Sequence, residues 1–243
     1  MALKDEIKRE NVKIKDMPFK KKAEYIWEYY KIPIIGLLAA VIFIVTFVRD
    51  YRINKRPYYL DAIVINSDLA YSATNYLQDD YVKYAGVDTD TYNIAFDTSI
   101  LIDEDKFDQM TMANSQKVMA LFAAGELDVV MGPDSLMDRY GRMGSFMNLD
   151  PVISADLKKR LSDAGYEIYY ATVYEDDDEG NSVPTDTYPA GVYLDKSAYL
   201  ASLEEGAFKT ANDAGKRPVF ALAASSQRVE NAMKLLSMMT GIE

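Results

Sequence analysis

The chain has 243 residues, a formal charge of −11, and neither cysteine nor histidine. Those two absences exclude disulfide frameworks, Cys/His zinc sites, Ser-His-Asp triads and Cys-His dyads. The charge is uneven: residues 1–56 hold 13 Lys/Arg against 7 Asp/Glu, while residues 57–243 hold 14 against 31, so a basic start precedes an acidic domain of −17.

In chain order, residues 1–31 form a charged juxtamembrane segment, its first 24 positions reading as a mobile or surface-lying helix. The run from Ile32 to Val48 then carries no charge and is bracketed by Lys31 and Arg49. Seventeen residues at ~1.5 Å each span ~26 Å, close to a bilayer core, and Trp27, Tyr29, Tyr30 and Tyr51 sit at its two ends as an interfacial belt would. A buried core helix is the alternative for a run this short; cations and aromatics on both flanks favour a transmembrane helix over 32–49, contacting lipid through residues 25–51. The polar stretch ahead of it, and Arg49-Asp50-Tyr51-Arg52 after it, fit a retained signal anchor rather than a cleaved peptide. Residues 12–31 hold six Lys/Arg and residues 49–68 hold four, which places the N-terminus in the cytoplasm and the rest outside.

After a linker at 50–57, residues 58–243 are enough for one domain with a core. Tyr58 to Asn66 reads as a buried strand. A helix capped by Ser67 or Asp68 follows, with Leu69, Ala73, Tyr76, Leu77, Tyr81 and Tyr84 on its apolar face and Gly86 as its stop. Tyr92 to Asp97 alternates as a second strand, and a helix runs from Phe107 to Ala124 with Gly125 as its C-terminal residue. Leu127 to Met131 is a third strand, turning at Pro133 into a short helix where Ser135 and Asp138 have capping-box spacing. This order implies parallel strands with crossover helices, hence an α/β fold. Tyr166 to Tyr174 and Tyr188 to Leu194 then read as strands joined by the acidic stretch Glu175 to Thr187. A helix near Lys196–Glu204 follows. Last come a strand over Pro218–Leu222 and a helix opened by Ser225 or Ser226, with Val229, Met233, Leu236 and Met239 inward and Gly241 at its end.

Four stretches together resemble the solute-binding proteins of bacterial ABC importers, in the type II periplasmic-binding fold. They are Ala124-Gly125-Glu126-Leu127-Asp128-Val129-Val130-Met131-Gly132, Gly144 to Asp150, Tyr188 to Lys196, and Ala223-Ala224-Ser225-Ser226 leading into Asn231-Ala232-Met233-Lys234-Leu235-Leu236. The resemblance covers most of residues 58–240 in order. It implies a mainly parallel sheet, a second lobe reduced by the short length, and a membrane anchor where the family uses secretion or a lipid-linked cysteine. It also implies a non-enzymatic domain that captures a small solute for a membrane transporter or sensor; the alternative is a structural or regulatory interaction subunit.

Ligands of parallel α/β sheets collect beyond the carboxyl ends of the strands. The polar residues expected there are Ser67, Asp68, Asp134, Ser135, Ser225 and Ser226, with Tyr188 entering from the return strand. Helix capping is the simpler role for Asp68 and Asp134. The negative field favours a neutral or cationic solute and argues against nucleic acid. Glu175 to Asp186 matches a Ca²⁺-loop template at positions 1, 3, 5, 6 and 12, though strands flank it and a solvated hairpin tip is the simpler reading. Tyr166, Tyr170 and Tyr174 share a strand face suited to packing or ring stacking. No cofactor or metal is implied.

Overall fold

The computed structural model describes residues 18–69, 71–106, 108–203 and 206–242, without the side chains of 25, 26, 29 and 71–75. Most of the charged N-terminal stretch, Phe107, Ala73 and Glu204 therefore lie outside the description. The chain divides into two units, Met1–Lys55 and Arg56–Glu243.

Among its described residues the first unit holds a 36-residue helix, α1 (Phe19–Asn54), about 54 Å long at ~1.5 Å per residue. Its part Tyr30–Asn54 is long and apolar enough to cross a membrane. Thr46, the lone polar side chain between Ile32 and Val48, returns its hydroxyl to the carbonyls of Ile42 (3.0 Å) and Phe43 (2.9 Å), so no donor is left facing the apolar surface. The helix runs through the first five residues of the expected linker and stops at Asn54; Lys55, Arg56 and Pro57 alone separate it from the first strand.

The second unit is a mixed α/β domain. Its elements are β1 (Tyr58–Val64), α2 (Tyr71–Ala85), β2 (Asn93–Asp97), α3 (Gln109–Ala124), β3 (Val129–Pro133), α4 (Asp134–Gly141), α5 (Ala155–Asp163), β4 (Ile168–Asp176), β5 (Ser182–Tyr193), α6 (Ala198–Ser202), α7 (Lys209–Asp213), β6 (Pro218–Leu222) and α8 (Val229–Thr240). The six strands form one sheet in the order β2-β1-β3-β6-β5-β4. β1 pairs parallel with β2 and β3, whereas β3–β6, β6–β5 and β5–β4 are all antiparallel. The expectation of a mainly parallel sheet is thus corrected: only the β-α-β-α-β start has helical crossovers, and a hairpin supplies β4 and β5.

Each sheet face buries its own core. Leu60, Ala62, Val64, Met131, Phe220 and Leu222 pack against Leu77 and Tyr81 of α2 and Leu235, Leu236 and Met239 of α8. Ile63, Ile65, Val130, Val219 and Ala221 pack on the other face against Val118 of α3 and Leu136, Met137 and Tyr140 of α4. Covered on both sides, β3 and β6 are buried throughout, which explains their uninterrupted apolar sequences.

Several local expectations change. β3 begins at Val129, two residues later than read. α8 starts at Val229 with Arg228 at its N-cap, so neither Ser225 nor Ser226 opens it. The capping box on α4 is absent: Pro133 is the N-cap and Asp138 instead accepts from the Tyr169 hydroxyl at 2.8 Å. Helices α5 and α7 were not anticipated; Ser154 caps α5 by accepting from Leu157 N. The strands reach further into the acidic stretch than expected, since pairing continues from Thr172↔Thr187 to Asp176↔Ser182 and leaves residues 177–181 as the hairpin tip. Bulges at Tyr169/Tyr170 and Val173/Tyr174 break the shared tyrosine face. Tyr166 is buried, Tyr170 is 58% exposed, and Tyr174 lies under the Arg142 guanidinium at 3.8 Å.

At Gly191 the β5 backbone lies so close to the Phe220 carbonyl that a Cβ would overlap it. Gly191→Ala is expected to cost about 1–3 kcal/mol by overpacking, with Ser182→Ala in the exposed part of β5 near neutral. Thermal unfolding of the two variants checks this; equal melting points would refute the close β5–β6 contact.

Candidate functional site

The chain leaves β1 for β2 on one side and then crosses to β3 on the other, so the strand order reverses between β1 and β3. The crevice beyond their carboxyl ends is where such sheets hold ligands. Ser67 and Asp68 arrive there from β1, Asp134 and Ser135 from β3. The other three expected residues do not. Because β6 is antiparallel to β3, with Pro133↔Pro218 at one end and Val129↔Leu222 at the other, the segment after β6 emerges at the amino end of β3. Ser225, Ser226 and Tyr188 therefore lie across the sheet, about 17 Å away for a five-residue strand. The seven residues split into two groups.

At the carboxyl end the side chains are bonded to one another. Asp68 accepts from Thr210 N at 2.8 Å and from the Thr210 hydroxyl, so it holds the first turn of α7. Asp134 accepts from Ser135 N at 2.9 Å, and Ser135 Oγ donates to Glu104 at 2.8 Å. Glu104 is in turn paired with Lys216. Arg217 bonds Glu167 (3.1 Å) and Asp195 (2.9 Å) while its guanidinium lies 3.8 Å from the centre of the Tyr193 ring. Burial, and the hydroxyl's bond to Asp138, raise the Tyr169 phenol well above its ordinary range, so it stays a donor. Among the described residues, the buried Ser67 Oγ has no partner.

Asn66, outside the expected set, fixes the geometry here. It is the one described non-glycine residue with positive φ (53°), and its amide brackets Ile102, accepting from its N–H at 2.7 Å and donating to its carbonyl at 2.8 Å. Asparagine tolerates this conformation better than other side chains, so an Asn at a strand end was an available signal. On the flank of this edge a cavity of about 420 Å³ opens between α6 and α7, bordered by Asp195, Leu200, Leu203, Phe208 and Asp213.

The amino end is organised by Asp128, which is fully buried. It accepts from Asp61 N (2.8 Å), Ser226 Oγ (2.7 Å) and Arg228 Nε (2.7 Å), and Arg228 also reaches the Glu126 carbonyl. Ser226 is thus a buried structural donor. Ser225 is exposed, and the Tyr188 hydroxyl donates to the Phe146 carbonyl at 2.9 Å. In the acidic hairpin, Asp177 accepts from the backbone N–H of Glu179 and Asn181, while Asp186 is committed to the strand opposite Val173. The template positions are therefore spread along a ribbon, and no three His, Cys, Asp or Glu converge on a metal position among the described residues.

Asp61 gives the amino end a measurable property. Burial, with Asp128 next and Glu126 and Asp97 adding, raises its carboxyl to about 6 from an ordinary 3.8, against the opposing pull of Arg228. The folded state therefore holds a proton between roughly pH 4 and 6 that the unfolded chain releases. Stability falls as pH rises through that window, and the cost is complete above pH 6. Partial exposure screens the effect to about 1–2 kcal/mol. Asp61→Asn is expected to melt several degrees above the parent chain at pH 7.5 and level with it at pH 4; a gap that does not change with pH would show that Asp61 is not the group.

Compared with protein-family models, with curated proteins and with solved structures, the chain matches none.

Proposed function

We propose that the chain is a single-pass membrane protein whose acidic α/β domain lies outside the cell and works as a non-enzymatic structural or regulatory interaction subunit of a membrane assembly. The observation that carries this is the state of the switch-point crevice. Asp68, Asp134, Ser135, Glu104, Lys216 and Arg217 are each hydrogen-bonded or ion-paired to another group of the chain. A solute entering there would have to displace those bonds and replace them, which subtracts from its affinity. The resemblance to solute-binding proteins enters as descent: a domain keeping the fold of one lobe after the capture site has been closed by its own side chains.

The 420 Å³ cavity supports a second reading, capture of a small neutral or cationic solute for a transporter or sensor, since Asp195 and Asp213 border it and Lys209 is the only cation among the described lining residues. The full chain in lipid nanodiscs separates the two. The interaction reading expects no saturable rise in melting temperature with polyamines, sugars or short peptides, and a native mass greater than one chain in membrane extracts. A saturable rise, or a single-chain mass at every concentration, would overturn it. For orientation, protease added to intact spheroplasts is expected to digest residues 56–243; protection until lysis would reverse the assigned topology.

A further inference from the structure

Helix α3 is bound to the domain by a narrow seam. Of its 16 residues only Thr111 and Val118 are buried, seven apart, with Leu121 and Phe122 half-buried beside them. Beside it a second seam is exposed: Gln109, Met112, Gln116, Met119 and Ala123 follow one another at alternating spacings of three and four, and Met112 and Gln116 border a cavity of about 220 Å³ shared with Asp103, Glu104 and Arg139. That is the a/d spacing of a coiled coil. Met112 is 53% and Met119 43% exposed, and Ala113 and Ala120, beside the two methionines, are exposed as well. The helix is well terminated, by Asp108 accepting from Thr111 N at 2.7 Å and by Gly125 at φ 70°, so the seam is held as a rigid rod.

We propose that this seam packs against the same seam of a second copy of the chain in the same membrane. Three features select a second copy over another partner. Glutamine at a is self-complementary: in a parallel pair Gln116 faces Gln116 of the second copy, where each amide can donate to and accept from the other, and a polar a residue fixes register in that way. The flanking positions Ala113, Ser115, Ala120 and Phe122 carry no charge, so nothing in the seam selects an oppositely charged partner. Lys117, the only charged residue in the helix, is turned to Asp97 at 2.5 Å. Finally, a domain of charge −17 repels its own copies, and the helix face itself adds no like charge to that repulsion; Asp103, Glu104 and Arg139, which border Met112 and Gln116, carry both signs. Small alanines beside the methionines allow the two helices to come within the ~8–10 Å of packed helices.

A 16-residue seam is about 24 Å long, too little to hold a dimer in dilute solution. Confinement of both copies to one membrane supplies the missing concentration. This inference rests on the interaction-subunit reading and names its partner.

The absence of native cysteine makes the test direct. Full chain carrying Gln116→Cys, oxidised in membranes, is expected to give a disulfide-linked product of twice the chain mass. Its yield should exceed severalfold that from Ser162→Cys, an exposed position on α5. Adding Met119→Glu should abolish that excess while leaving the melting temperature unchanged, because Met119 is outside the core. A yield at position 116 no better than at 162, an excess that survives Met119→Glu, or a product of any other mass would each overturn the seam. If the native assembly keeps its mass in that case, the seam fails and the subunit reading stands; a single-chain mass in native extracts removes both.

Discussion

The carboxylate of Asp128 is the constraint around which the rest of the domain is arranged. A charge with no solvent access is tolerable only where donors surround it, and here three converge, from β1, from the loop after β6, and from Arg228 at the start of α8. Backbone bonds join the same strands: Asp128 N to Asp61 O and Ala223 N to Asp128 O, both 2.9 Å. One residue therefore ties the central parallel pair to the last strand and the last helix. The same arrangement buries Asp61 beside Asp128, and its displaced titration follows from burial first and from that neighbouring charge second.

Anchoring the segment after β6 beside Asp128 has a consequence for the opposite edge. With β6 running against β3, the residues that precede β6, Lys216 and Arg217, are delivered to the carboxyl ends of β1 and β3. There they meet Glu104, Glu167 and Asp195, and Arg217 O accepts from Asp134 N at 2.9 Å. A parallel sixth strand would have brought serines to the crevice; the antiparallel one brings cations, and the acids already present bind them. Strand direction, more than any single residue, decides whether the crevice is open to a ligand.

Most elements were legible in the sequence where one local rule dominates. β6 falls on Pro218–Leu222 because a five-residue apolar run buried on both faces has no helical period, and Gly86, Gly125 and Gly241 end their helices in left-handed geometry as glycine permits. The direction of β6 left no local trace, because it is set by how α6 and α7 return the chain, and those helices are only five residues each. α5 escaped notice because it buries only Leu161 fully and presents charge elsewhere. The candidate site suffered most. Each of its serines and aspartates was placed beside a strand end, but which end of the sheet that strand end occupies is a tertiary property. Arg228, the residue that completes the Asp128 network, sits in Ser-Gln-Arg-Val with no periodic or motif signal.

The distribution of charge within the domain is uneven. Acidic residues cover the domain, yet α3 presents a face on which glutamine, methionine and alanine alternate without one carboxylate. Solubility alone would favour charge there, as on α5, where Asp156, Lys159, Arg160 and Asp163 form i,i+4 ion pairs along an exposed surface. The contrast lies within one domain under one electrostatic constraint, so solubility alone does not account for it. A helix in permanent contact with water gains from charge; one that meets a partner loses by it, because each charge must be desolvated on contact. On the proposal that two copies share one membrane, a short uncharged face is enough, because confinement supplies the concentration that its length lacks.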